Sequence, residues 1–369
     1  MDLDRSDIAK PGRPGLVYVT HVDWGHIRQR PHHIACGLAD RYDVTVASPV
    51  SRRRALLVAN PLQGIRLLRL LRLPGSYRSA VVLAANATLC AWQLRLATAA
   101  RAAAVVFVTS PECYAWVAPW LDERTLAYDC MDDALAFAQG DAVRAYKADM
   151  ERALLARADH VFCSSGTLAE RCVARGAPPG RTAVVRNGWN PAAFPVLPAR
   201  TPAGFGPLRL GYFGTLGDWL DFALLEAVVR ACPDVTIRLV GPNEGGYVSP
   251  HPRLVVLPPV AHADLAAAVA DCDAMLLPFR VDDLIRAVDP VKVYEYIALG
   301  KPVVAVRYPE IERFAEFVTF YEGVDDLVPL LRDHRSALAP ALPAPRRAAF
   351  LDANSWACRV EAIRAALER

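Results

Sequence analysis

Residues 289–304 read DPVKVYEYIALGKPVV, and the fold is decided by how this stretch is read. Up to Gly300 it has the marks of a helix. Pro290 suits an early helical position, and Lys292 puts a full positive charge in the first turn, where unpaired N–H groups and the positive end of the helix dipole already favour an anion. Glu295 follows three residues later, so both side chains project toward one side of the helix. A cation for a diphosphate and a carboxylate for ribose hydroxyls, one turn apart, are what a nucleotide-diphosphate sugar requires. From the pair alone, an ordinary surface Lys/Glu couple would look the same.

Outward from this helix, apolar strands and helical segments alternate. LRLGYFG, DFALLEAVVRACP, TIRLVGP, LVVLPPV, HADLAAAVADC, AMLLPF, VKVYEYIALG and PVVAVR follow one another from residue 208 with connections of a few residues. The strands are continuous apolar runs, as expected where helices cover both faces of a parallel sheet. Upstream lies NPAAFPVLPARTPAGFG, residues 190–206, with four prolines and two glycines, read as a linker. The N-terminal half opens β-α-β with LVYVT, IRQRPHHIACGLADR and DVTVASP. It continues with strand candidates AVVFVTS, RTLAYDC, HVFCSS and TAVVRNG, and with a helix at 147–158. Two doubly wound α/β domains are expected, spanning 1–195 and 205–345. A Pro/Ala connector at 339–349 is long enough for the last helix, 355–369, to return to the first domain.

The 369 residues suit two domains of ordinary size. No apolar run approaches the roughly 20 residues of a membrane-spanning helix, and residues 1–15 read as a disordered lead-in without a secretory pattern. The nine cysteines are dispersed without a C-x-x-C pair, which predicts reduced core thiols and no metal site. Net charge is only +3, yet residues 51–101 hold nine arginines and no Asp, Glu or Lys. Arg52, Arg53 and Arg54 are consecutive, and Arg66, Arg69, Arg72 and Arg78 are interleaved with leucines. Such a face suits an anionic membrane surface or a diphosphate-bearing acceptor, or is simply a solvated edge. No nucleic-acid-binding motif accompanies it, so nucleic acid is not an expected partner.

The whole string DPVKVYEYIALGKPVV resembles the segment of GT-B glycosyltransferases in which a Pro-x-Lys-x-x-Glu helix leads through Gly-Lys-Pro-Val-Val into the next strand. The resemblance implies that Lys292 contacts the donor diphosphate and Glu295 the ribose. RLGYFGTLGDWLD is similar to the family's first strand and glycine-rich turn, which implies that Gly214 and Thr215 face the phosphates; IRLVGP, with Gly241, and DAMLLPF match later strands. ADHVFCSS and VVRNGWNPAAF resemble the same family's signatures of an aspartate before an apolar strand and a serine, and of Asn-Gly, a turn and Phe; the opening VTHVDWGHIRQRPHHIACGLA is similar to bacterial cell-surface polysaccharide transferases of the family 1/4 type, through a tryptophan followed by Arg-Pro-His. Asp23, Trp24 and Arg30 are thereby implied as acceptor or donor-sugar contacts, with Trp24 stacking on a sugar or packing internally. The implied architecture is GT-B, two Rossmann-like domains facing a central cleft.

Two positions depart from the family pattern. Ala287 stands eight residues before Glu295, where many retaining members carry a second glutamate, and the first loop offers Asp23, Trp24 and Gly25 in place of Gly-Gly. In AYDCMDDALAF, Asp129, Asp132 and Asp133 follow an apolar strand whose end suits a general base. A Tyr-x-x-x-Asp match to inverting GT-B glucuronosyltransferases selects Asp132 from Tyr128; helix capping is the alternative. Asp271 and Asp273 read as a helix end, and the adjacent His32 and His33 lack metal-ligand spacing.

The expected activity is metal-independent transfer of a sugar, without a cofactor, from a nucleotide-diphosphate sugar, a UDP-sugar being favoured. The expected acceptor is a saccharide, lipid-linked, in bacterial polysaccharide synthesis, and the expected location is cytoplasmic and peripheral to the inner membrane face. A nucleotide-sugar epimerase and a non-catalytic GT-B partner subunit are the competing readings. A nicotinamide enzyme is disfavoured because HVDWGH, not G-x-G-x-x-G, follows the first strand.

Overall fold

In the computed structural model, residues 12–24, 28–50, 64–74, 80–99, 103–137, 140–199, 207–333, 338 and 341–369 are described. Gly25, Arg52, Arg53, Arg54, Arg78 and residues 1–11 of the expected N-terminal lead-in lie outside them, whereas its last residue, Gly15, begins a strand. The chain divides into two compact units, Met1–Arg186 with Arg359–Arg369, and Asn187–Cys358.

The first unit contains β1 (Gly15–Val19), α1 (Arg30–Leu38), β2 (Asp43–Pro49), β3 (Ile65–Leu70), α2 (Ala80–Thr98), β4 (Ala103–Val108), α3 (Pro111–Val117), β5 (Thr125–Cys130), α4 (Asp141–Arg157), β6 (His160–Cys163), α5 (Gly166–Ala174) and β7 (Thr182–Val184). All seven strands are parallel, in the order β3-β2-β1-β4-β5-β6-β7. The chain reverses direction across the sheet after β3, so the loops after β1 and β4 form the switch point where ligands gather in open α/β sheets. Tyr18, Phe107 and Phe162 stack in series through the core, with ring centroids 5.3 and 6.0 Å apart.

β3 was not among the strand candidates, because IRLLRL reads as a charged surface stretch. It forms the sheet edge, where Arg66 pairs with Asp43 and Arg69 with Asp23 while Ile65 and Leu70 are buried.

The second unit contains β8 (Leu208–Phe213), α6 (Phe222–Ala231), β9 (Val235–Val240), β10 (Leu254–Leu257), α7 (Leu265–Ala268), β11 (Ala274–Leu277), α8 (Val291–Leu299), β12 (Val303–Val306), β13 (Val318–Tyr321), α9 (Val324–Arg332), α10 (Ala344–Ala353) and the start of α11 (Trp356–Leu367). Its six parallel strands run β10-β9-β8-β11-β12-β13.

Two sequence expectations are altered here. The segment at 339–349 is not a plain connector, since α10 begins at Ala344 behind Pro343, where Ala and Arg are good helix formers. The proline-rich stretch after residue 187 is laid along the second unit: Leu197 N–H donates to Ala298 O (2.8 Å), and Trp189 Nε1 donates to Phe194 O (2.8 Å). Arg347, 1% exposed, donates to the Ile297 and Ala298 carbonyls in the last turn of α8 (2.7 and 3.2 Å), and also to Leu197 O. At its far end α11 belongs to the first unit. Val360 packs where a Cβ on Gly37 would lie 2.4 Å from its Cγ2, and Arg364 donates to Gly37 O at 2.6 Å.

Candidate active site

In the second unit the site is built around two glycine turns. Gly214 (φ +133°) follows β8 and Gly241 (φ +151°) follows β9, both in backbone conformations that side chains disfavour. A Cβ at Gly241 would lie 2.1 Å from Gly214 O, and one at Gly214 would lie 2.1 Å from Lys292 Cε. The two turns therefore touch backbone to backbone, held by Gly214 N–H to Val240 O at 2.9 Å, and the Lys292 side chain lies across Gly214. Lys292 is in the first turn of α8, its Nζ 5.7 Å from the Tyr212 ring centroid. Among the described residues no carboxylate pairs with it. The half-buried Thr215 follows Gly214, its carbonyl accepting the Tyr212 hydroxyl at 3.1 Å.

Glu295, one turn along, meets His262 Nε2 at 3.3 Å, and His262 stands edge-on to Phe194 at 5.0 Å. His262 carries no sequence signal; it lies thirty-three positions away and reaches Glu295 through the turn His262–Asp264. Asp289 anchors the motif. It is 2% exposed, accepts from Asn187 N–H (2.9 Å) and the Tyr294 hydroxyl (3.2 Å), and ion-pairs with Arg313 at 3.3 Å. Arg313 in turn donates to Asn354 at 2.8 Å. The start of α8 is thus fixed from three segments distant in sequence. Lys301, the lysine of Gly-Lys-Pro, is buried and donates to the Ala270 (3.0 Å) and Cys272 carbonyls, a capping role for the chain end before β11. Ala287 is buried in a short turn.

In the first unit, the candidate side chains collect at the C-terminal edge of the sheet. The three aspartates after β5 have different fates. Asp129 is fully buried, accepting from Tyr18 Oη (2.7 Å) and Arg30 Nε (2.8 Å). Asp133 is gripped by Arg171 and Arg175, both at 2.8 Å, and its Oδ1 accepts from Leu135 N–H. Burial would raise its pKa, but the Arg175 and Arg171 hydrogen bonds outweigh that and hold it below the usual carboxylate range. Asp132, between them, is half-buried, and no hydrogen bond reaches its carboxylate among the described residues. Burial pushes it up to about 7; Arg30 lowers it less than burial raises it, and the charges of Asp129 and Asp133 add to the rise. A carboxylate in that range exchanges protons near neutral pH, as general-base work requires.

The other expected contacts are differently placed. Arg30 is drawn inward as the counter-charge of buried Asp129, also donating to Val185 O at 2.7 Å, because a buried carboxylate without a partner is costly. Trp24 is 4% exposed and stacks on His32 at 4.1 Å, the packing alternative of its two readings. Asp23 pairs with Arg69 (3.1 Å), which also donates to Ser48 Oγ at 3.1 Å. Beside it, His21 Nδ1 lies 3.0 Å from Thr109 Oγ1, and burial lowers the His21 pKa.

Cys130, Cys163 and Cys172, dispersed in sequence, come together with sulfurs within 4.8 Å of one another. Hydrogen bonds among the three thiols act in both directions, and with burial added each is shifted above the ordinary thiol range. Asp271, the end of the expected helix, forms a salt bridge with Arg238, and Asp273 accepts from Arg209 N–H at 2.8 Å.

Residues 25–188 match the family described as "Glycosyl transferase 4-like domain", and residues 222–365 match "Glycosyl transferase-like". The chain is 29% identical over 175 residues to TuaH of Bacillus subtilis (strain 168), whose name assigns it to teichuronic acid biosynthesis as a glycosyltransferase. That match spans 44% of each chain, so less than half of the relative's length is covered. Among solved structures, HepE of Anabaena in complex with UDP superposes with TM-score 0.68 at 16% identity, covering 96% of this chain and 99% of that one. Sucrose-phosphate synthase from Thermosynechococcus elongatus superposes with TM-score 0.72 at 13% identity, covering 96% and 98%. The parallel sheets and these likenesses define the GT-B fold. The chain belongs to the GT-B glycosyltransferases of the family 1/4 type.

Proposed function

We propose that this chain transfers a sugar from a nucleotide-diphosphate sugar, a UDP-sugar, to a saccharide hydroxyl, the acceptor being lipid-linked and the product a bacterial cell-surface glycan. The observation that carries the donor half is the Lys292 ammonium, unpaired by any described carboxylate and laid over the Gly214 turn at the N-terminus of α8. Positive charge there stabilises the departing diphosphate without a metal ion. Glu295, held beside His262, is assigned to the ribose hydroxyls, and Gly214, Thr215 and Gly241 to the phosphates. HepE has been solved with UDP and with UDP-glucose, which supports the choice of base.

For the acceptor half we assign Asp132 as general base of an inverting displacement. The acceptor O–H gives its proton to the Asp132 carboxylate as the new bond to the anomeric carbon forms and the bond from that carbon to the diphosphate oxygen breaks, leaving UDP. Asp129 and Asp133 are committed to their arginines; Asp132 is not. Asp23 is assigned to the acceptor side, with Arg69 orienting it. No described helix is long and apolar enough to cross a membrane, and the proposed location is the cytoplasmic face of the membrane, peripherally bound.

A thermal-shift screen of the full chain against UDP, GDP and dTDP tests the donor reading. UDP should raise the melting temperature most, and Lys292→Ala should abolish that rise. No shift with any nucleotide would reject it. Donor turnover to an epimer without acceptor would favour the epimerase instead.

A further inference from the structure

The face of the first unit formed by α2 carries large apolar side chains that nothing in the described chain covers. α2 contains no acidic residue, and its outward positions Val81, Thr88, Trp92 and Leu96 recur at the spacing of one helical stripe. Val81 is 77% exposed, and Trp92 and Leu96 are each 58% exposed. Leu71 and Leu73, both about half-exposed, extend the stripe sideways. They are pinned to α2 by side-chain hydrogen bonds to their own backbone. Gln93 bonds Leu71 N–H and C=O at 2.9 and 3.0 Å, and Asn86 bonds Leu73 N–H and C=O at 2.7 and 3.0 Å. Isolated surface leucines need no account, but five large apolar side chains on one pinned face do.

Charge selects the occupant. From residue 44 to residue 111 there is no Asp, Glu or Lys, and Arg72 and Arg95 are exposed at the margins of the stripe. A second copy docked on this face would set arginine against arginine, whereas anionic headgroups complement it. An apolar stripe with a tryptophan and flanking arginines is what an in-plane interfacial helix presents. We propose that α2, with Leu71 and Leu73, inserts its outward face into an anionic lipid bilayer, lying on the membrane and not across it. Because α2 returns antiparallel to the strands it joins, its N-terminus and the Leu71–Leu73 segment sit at the C-terminal edge of the sheet, the edge that carries Asp23 and Asp132. This deepens the reading of a lipid-linked acceptor, although the docking stands without it.

The full chain is mixed with phosphatidylcholine vesicles with and without phosphatidylglycerol, and bound protein is read by sedimentation and by the emission difference between wild type and Trp92→Phe. Binding is expected on the anionic vesicles with a blue-shifted Trp92 component, and a residual fraction should survive high salt because apolar insertion is not screened. The double variant Trp92→Ser, Leu96→Ser should bind at least about tenfold more weakly, in line with the burial of two large side chains. Both positions are exposed, so the melting temperature and the UDP-induced shift should be unchanged, which separates failure of docking from failure of the donor site. Unaltered vesicle binding by the double variant overturns the proposal. So does a wild-type dimer in light scattering that the double variant dissolves, which would assign the face to a second copy.

Discussion

No hydrogen bond reaches the Asp132 carboxylate among the described residues, and burial pushes its pKa up to about 7. Turnover should therefore rise with pH through an apparent pKa near 7, and Asp132→Asn should cut kcat about 10²-fold or more with little change in donor affinity. Near-normal turnover of Asp132→Asn would reject the assignment. The same group sets a stability difference. Its pKa is higher folded than unfolded, so the native state binds the extra proton and is relatively stabilised at low pH; that stability is lost as pH rises through about 7. Asp132→Asn should thus melt above wild type at pH 8, and the gap should close toward pH 4, which paired thermal melts would read. At the donor site, Lys292→Ala and Glu295→Ala should each weaken UDP-sugar binding by roughly tenfold or more, the size of a charge-assisted contact, with the fold retained. Calorimetric titration checks this, and unchanged affinity in both variants sinks it.

At the scale of the element, the proposed donor site rests on α8 being held at its start and on two turns approaching without side chains. Gly214→Ala places a Cβ 2.1 Å from Lys292 Cε and keeps a positive φ, so it should displace the lysine and abolish UDP binding while the sheet persists, as circular dichroism would show. Arg313→Ala removes the cation 3.3 Å from buried Asp289. It should cost about 3 kcal/mol or more in urea unfolding, and Asp289→Asn in the same background should recover part of it.

For the molecule as a whole, the two units imply separable responses. UDP should slow amide hydrogen exchange in the turns after β8 and β9 and at the start of α8, all within Asn187–Cys358. Protection concentrated in Met1–Arg186 would place the nucleotide in the wrong unit. The alternating strand and helix pattern, the parallel sheets it implies and the Lys292 and Glu295 helix were legible in the sequence, because each is a matter of local periodicity or helix geometry; the glycine turns came from the family resemblance of the segments around them. Other features required the folded chain. Which of three neighbouring aspartates keeps its carboxylate unpaired depends on Arg30, Arg171 and Arg175 arriving from other elements. The approach of His262 to Glu295, the burial of Trp24 against His32 and the gathering of three distant thiols depend likewise on which strand ends the sheets bring side by side. Residue type and spacing determine what each segment can offer; pairing, burial and the resulting pKa are set by neighbours remote in sequence, which only the tertiary structure brings into contact.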